Sequence, residues 1–265
     1  VEYKSQNPGF MHACGHDAHT TWVIGAAMIL SHFKDQLHGN VKFLFQPDEE
    51  LYGGADRMIK DGALENPHVD AAIGAHVWPV IESGKIGVKY GSMMAAPDHI
   101  IINIHGKAGH GAEPHNCIDP ISVACQVYMS LQTLVSRRIN PVEPAVVTIA
   151  RITGGTTHNA IPEKVEMEGT VRTLTNELRS RMPQLIENII KGVCEANEAT
   201  YEFVYDPYYP PVINNSEMTA LVEKAGKEIL GEDSVIVVDK PTMGAEDFSY
   251  FQQKVPGAFF IVGTY

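Results

Sequence analysis

The 265 residues carry 32 acidic and 20 basic groups, a formal charge of −12, with 44% apolar and 20% charged residues. That is enough apolar material for one large domain or two ordinary ones, and it excludes a disordered chain. The acidic balance repels a phosphate backbone, and the longest apolar stretch, Trp22 to Leu30, is too short for a bilayer. Neither nucleic acid nor membrane is an expected partner. The four cysteines, Cys14, Cys117, Cys125 and Cys194, are too scattered for a secreted disulfide framework, and a cytoplasmic protein is expected.

In chain order, His12 to His19 is a Gly- and His-rich connection that leads into a buried helical stretch from about Thr21 to Phe33. Val41 to Phe45 reads as a strand stopped by Gln46-Pro47, Gly54 to Leu64 as a short helix, and Val69 to Ala75 as a buried strand ending at His76. Strand, helix, strand in that order predicts a partly parallel sheet covered by helices.

The middle of the chain changes character. His99 to His105 is strand-like, Ile121 to Arg138 a long helix, Ala145 to Ile152 and Lys164 to Leu174 strands, Asn176 to Ala199 a second long helix, and Thr200 to Tyr205 a strand. Strand-helix-strand-strand-helix-strand predicts a ferredoxin-like α+β unit with a mainly antiparallel sheet. The Pro-rich stretch Pro207 to Pro211 marks a boundary. Helix Glu217 to Leu230 and strands Val235 to Val238 and Ala258 to Val262 then resume the first style. The expected organisation is an α/β domain of residues 1–95 and 208–265, with an α+β domain of residues 96–207 inserted in it.

Chemistry-bearing residues concentrate in the α/β part. Cys14-Gly15-His16 places a thiol and an imidazole two residues apart, while Asp48-Glu49-Glu50 and His76 each follow an expected strand. Sites in open α/β sheets form beyond the carboxyl ends of strands. Cys, His and Glu are donors suited to Zn²⁺ or a similar borderline ion. Each cluster alone is also what a solvated loop would show; three at matching strand ends point to a metal site.

Six motifs in order carry a resemblance: Met11-His-Ala-Cys-Gly-His-Asp-Ala-His19, Phe45-Gln-Pro-Asp-Glu-Glu50, Gly74-Ala-His-Val-Trp-Pro79, Gly109-His-Gly-Ala-Glu-Pro-His115, Gly154-Gly-Thr-Thr-His-Asn-Ala-Ile-Pro-Glu163 and Met243-Gly-Ala-Glu-Asp-Phe248. Together they resemble the M20 metallopeptidase family in its amidohydrolase branch, which includes hippurate hydrolases, N-acyl-amino-acid amidohydrolases and N-acetyldiaminopimelate deacetylases. The resemblance implies a hydrolase that cleaves the amide of a small N-acyl amino acid with two divalent ions, Zn, Mn, Ni or Co. It implies Cys14, His16, Glu50 and His76 as ligands and Glu49 as general base toward a metal-activated water. It further implies that the inserted domain is a dimerisation or lid domain of a homodimer. In that domain His110 would stabilise the oxyanion from the opposite subunit, and Asn159 and Arg172 would hold the substrate.

Family members carry further strands ahead of the Cys-Gly-His-Asp motif and a metal-binding histidine after the strand matching Ala258 to Val262. The 265 residues are therefore expected to be an internal fragment with an uncovered sheet edge and incomplete metal occupancy. Two other readings stay open: a cysteine hydrolase using Cys14 with a histidine, and a non-catalytic dimerisation or ligand-binding fragment.

Overall fold

A computed structural model describes residues 2, 4–50 and 53–265. The first elements are α1 (His16–His32), α2 (Gly54–Lys60), β1 (Ala72–Trp78), β2 (Ile86–Val88), β3 (Gly91–Met94), β4 (Ala96–His105) and β5 (Gly109–His110). The middle of the chain supplies α3 (Pro120–Arg137), β6 (Ala145–Gly154), β7 (Ala160–Ile161), β8 (Lys164–Thr173), α4 (Asn176–Ala196) and β9 (Thr200–Asp206). The last elements are β10 (Val212–Asn214), α5 (Ser216–Leu230), β11 (Val235–Val237), α6 (Ser249–Gln252) and β12 (Gly257–Gly263). The chain divides into two compact units: residues 1–91, 213–241 and 247–265 in the first, and 92–212 with 242–246 in the second.

The first unit holds a mixed sheet in the order β1-β12-β2-β11. Strand β1 runs parallel to β12 and β11 parallel to β2, while β12 and β2 are antiparallel. Alternate residues of β12 face opposite ways. Ala258, Phe260 and Val262 pack with Ile86, Val88, Val235 and Val222, and the last of these brings α5 onto the sheet. Phe259 instead meets the Phe248 ring at 5.3 Å. Asn215 caps α5 by accepting from the Met218 N–H at 3.0 Å, which fixes where that helix starts.

Four expectations for this unit are corrected. Val41 to Phe45 is not a strand; a strand needs a paired neighbour, and none of the described residues pairs with it. The segment is held by the Lys42 ammonium, which donates to the carbonyls of Ala63 (3.0 Å), Glu65 (2.6 Å) and Pro67 (3.0 Å). Helix α2 stops at Lys60 and gives way to turns. Strand β1 begins later than expected and runs through Trp78, so His76 lies within the strand. Helix α1 starts at His16 and contains no buried residue; Ile24, Met28 and Ile29 are exposed.

The second unit is a four-stranded sheet in the order β6-β8-β4-β9, every pair antiparallel. The mainly antiparallel βαββαβ sheet expected from the sequence is present. Strands β4 and β8 alternate strictly between buried and half-buried residues. Their buried sides, Ile100, Ile102, Ile104, Val165, Met167 and Val171, meet Val127, Leu131 and Leu134 of α3 and Met182, Ile186 and Ile190 of α4. Side-chain caps from Asp119 on Ile121 and from Thr175 on Leu178 start the two helices. Among the described residues no helix is long and apolar enough to cross a membrane.

Candidate metal centre

Gly15 decides how the first cluster forms. It is the N-cap of α1 at φ 74°, and a Cβ there would lie 2.4 Å from Cγ2 of Val77 on β1. Only glycine combines that left-handed backbone with so close an approach. The pinch sets Cys14 and His16, on either side of Gly15, beside the C-terminal half of β1. The Cys14 Sγ lies 3.4 Å from His76 Nε2. His76 Nδ1 lies 2.6 Å from its acceptor, the Val77 carbonyl. That contact assigns the His76 ring proton to Nδ1 and leaves the Nε2 lone pair toward Cys14.

The acidic loop joins on the other side of His16. Its Nε2 is 3.5 Å from Glu50 Oε1 and 3.9 Å from Glu49 Oε2. Side-chain exposure separates the two neighbours, 20% for Glu49 and 61% for Glu50. Burial, then the charges of Asp247 and Glu50, push the Glu49 carboxyl up to about 7. A cation among these groups would oppose that shift, since it favours the charged carboxylate.

The donors fit a divalent ion. The Cys14, His16 and His76 ligand atoms lie within 4.8 Å of one another, as do those of His16, Glu49 and Glu50. Tetrahedral Zn²⁺, with bonds near 2.0–2.3 Å, separates a sulfur and a nitrogen ligand by about 3.5 Å and a nitrogen and an oxygen by about 3.4 Å. The observed 3.4 Å for Cys14–His76 and 3.5 Å for His16–Glu50 match those edges. His16 belongs to both groups, so the thiol–imidazole donors and the carboxylate donors lie side by side.

Two residues at this site stand in the quoted motifs but received no role from the sequence reading. His19 packs its ring 4.3 Å from that of His76 and accepts the Val77 N–H through Nε2 at 3.0 Å. Burial first, then the neighbouring His76 and His16, push its pKa down to about 4, so it is a neutral acceptor that braces β1. Its signal was its place three residues after His16, one turn along α1. Asp247 is fully buried and takes hydrogen bonds from the Gln46 side chain and the Ala55 N–H. Nothing local in the sequence marks that long-range role.

In the second unit His110 and Asn159 are brought together. His110 on β5 pairs with Ala160 on β7, and the Gly111 N–H donates to the Asn159 carbonyl at 2.8 Å. His110 Nδ1 accepts the Ala112 N–H at 3.2 Å, which leaves Nε2 as the proton-bearing nitrogen of a neutral ring. Arg172 lies elsewhere, on β8 opposite Pro97 and Val146. Burial lowers its pKa, against the pull of Asp98. The Asp98 carboxylate is itself engaged by Arg179, Tyr205 and the Tyr208 N–H. Among the described residues the Arg172 guanidinium makes no hydrogen bond.

Comparison with known proteins places the whole chain. The model of peptidase family M20/M25/M40 matches residues 1–265. An N-acyl-L-amino acid amidohydrolase of Geobacillus stearothermophilus is 50% identical over 217 residues, covering 82% of this chain and 58% of the relative. An N-acetylcysteine deacetylase of Bacillus subtilis is 42% identical over 264 residues, covering 100% and 68%. A solved dinuclear metal-binding peptidase of the M20 family, also from Bacillus subtilis, superposes with a TM-score of 0.85 at 37% identity, covering 100% and 67%. The chain thus spans 58% to 68% of the length of these relatives. With its full length matched and with hydrolases and a dinuclear peptidase among its relatives, the chain belongs to the M20/M25/M40 family of peptidases and hydrolases.

Proposed function

We propose that this chain carries the metal centre of an enzyme that hydrolyses the amide bond of small N-acyl amino acids. The observation behind this is the single cluster formed by Cys14, His16, Glu49, Glu50 and His76, with donor separations that suit divalent ions. Cys14, His16, Glu50 and His76 are the ligands in this reading. A divalent cation there supplies Lewis acidity, which activates water and polarises a carbonyl. Glu49, the less exposed carboxylate, takes the proton from the attacking water and returns it to the leaving nitrogen. The Nε2–H of His110 is a ready donor toward an oxyanion, and in a homodimer built through the second unit it comes from the opposite subunit. The half-buried Arg172 guanidinium, lacking an acceptor of its own, suits a substrate carboxylate, with Asn159 a second polar contact. Zn, Mn, Ni and Co all suit the mixed donor set.

The Cys14–His76 contact also favours a second reading, a thiol–imidazole pair acting as nucleophile. Two substitutions and a chelator separate the two. Glu49→Gln should keep metal by elemental analysis and lose roughly 10²–10⁴-fold in kcat, the usual worth of a general base. Glu50→Gln should lose metal as well as turnover. Activity that survives complete chelation would favour the cysteine nucleophile. Metal lost from Glu49→Gln but kept in Glu50→Gln would reverse the two glutamates.

A further inference from the structure

The loop carrying Asp48, Glu49 and Glu50 is held at both ends by one side chain from the far end of the sequence. The Asp247 carboxylate has no exposed surface. Its Oδ1 accepts from Gln46 Nε2 at 2.6 Å, and its Oδ2 accepts from the Ala55 N–H at 3.0 Å. The two ends of the loop also pass in contact, since a Cβ on Gly54 would lie 1.8 Å from the Pro47 carbonyl oxygen. Between them the Gly53 N–H closes on the Asp48 carbonyl at 3.1 Å. Each carboxylate oxygen thus fixes one end of a loop of ten residues or fewer, with the two acids at its centre. An amide there could meet both ends only if the Gln46 side chain turned over to present its oxygen, and it would bring no charge to the clamp. Burying a carboxylate costs free energy that apolar packing would not incur, so its presence asks for a purpose beyond filling space.

We propose that Asp247 is a positioning residue: its two-point clamp on Gln46 and Ala55 sets Glu49 and Glu50 against His16 and so preorganises the carboxylate donors for a divalent cation. This rests on reading the cluster as a metal site. Groups that orient metal ligands without touching the ion typically govern about 10–100-fold in affinity.

The test needs no turnover. Backbone hydrogen exchange at residues 46–55 is followed in the metal-free protein, and Zn²⁺ and Mn²⁺ affinity is measured by calorimetric titration. Asp247→Ala, which removes both acceptors, should speed exchange at Ala55 and weaken metal binding by about 10–100-fold. The double variant Q46E/D247N keeps both bonds with the charge moved: the new amide accepts from Ala55 and donates to the new carboxylate. It should recover exchange protection and most of the affinity, which a merely structural loss would not do. Gln46→Leu breaks one point of the clamp without touching the buried acid. It should weaken binding in the same direction, and it carries the test if Asp247→Ala fails to fold. Wild-type metal affinity in folded Asp247→Ala or Gln46→Leu, or no recovery in the double variant, would overturn the clamp. A wild-type protein that binds neither ion would instead sink the metal reading, and with it the purpose assigned to Asp247.

Discussion

Two helices, one from each unit, show what burial depends on. Helix α4 buries Leu178, Met182, Ile186, Ile190 and Cys194, a stripe repeating every four residues. Helix α1 is the more apolar sequence, with Trp22, Val23, Ile24, Met28, Ile29 and Leu30 in one run, and it buries none of its residues. A stripe needs cover on one side, which the sheet gives α4; a helix apolar on all sides needs cover all round, and the described residues bury no residue of α1. The second unit is accordingly a closed core around Ile100, Ile102, Ile104, Met167 and Ile186. In the first unit the cluster residues Cys14, His16, Glu49 and His76 are only half-buried, and Glu50 is exposed. The core of one unit is saturated; the other holds donors that a ligand can still reach.

The largest expected effect tests whether that saturation includes polar groups. Asp98 has no exposed surface and receives Arg179 twice at Oδ1 and once at Oδ2, the Tyr205 hydroxyl and the Tyr208 N–H. Asp98→Ala leaves a guanidinium only 16% exposed without its partner. Breaking such a pair typically costs about 3–5 kcal/mol, read by urea denaturation. A loss under about 1 kcal/mol would show water reaching these groups and the unit less closed than its contacts imply.

Next comes the direct comparison of the helices. Ile186→Ala on α4 should cost about 2–5 kcal/mol, as truncation in a closed core does. Ile24→Ala on α1, where the side chain is 46% exposed, should stay within about 0.5 kcal/mol of wild type. Similar losses at the two positions in the same denaturation series would remove the contrast between the helices.

The same contrast explains what the sequence made legible. Leu131, Leu134, Val165, Met167 and Val171 recur at the periods of a helix and a strand, so the second unit's elements could be read almost to their ends. Val41 to Phe45 has the composition of a strand, but pairing is a property of neighbours, and Lys42 is engaged by distant carbonyls instead. His76 was placed directly after the strand; the strand continues through it, paired to Ile261. Cys14, His16, Glu49, Glu50 and His76 were legible as chemistry from residue type alone, and the structure gathers them. Asp247 stood in the quoted Met243–Phe248 motif, but its role was not legible, because its partners lie 201 and 192 residues away.

The smallest expected effect lies on the exposed side of the second unit's sheet, where the core rule should fail. Arg151 meets Glu166 and Glu168 across β6 and β8, and His99 meets Glu168 at 3.0 Å. The Arg151 hydrogen bond first, and then that of His99, hold the Glu168 carboxyl below its ordinary range. A carboxyl lowered in the folded state contributes stability above its unfolded value, and that contribution is lost as the pH falls through the folded value. Exposed pairs of this kind are weak because water solvates both charges in either state. Arg151→Ala should therefore shift the neutral-pH denaturation midpoint by little more than the scatter of the measurement. Even that shift should shrink as the solution is acidified below the usual carboxylate range, and it should shrink with added salt at neutral pH. A difference that grows in acid would mean that Arg151 acts through packing of its aliphatic stem against β8. A loss at neutral pH as large as that of Ile186→Ala would mean that this open side is part of the core, and the line between the saturated and the open surfaces of the unit would have to be redrawn.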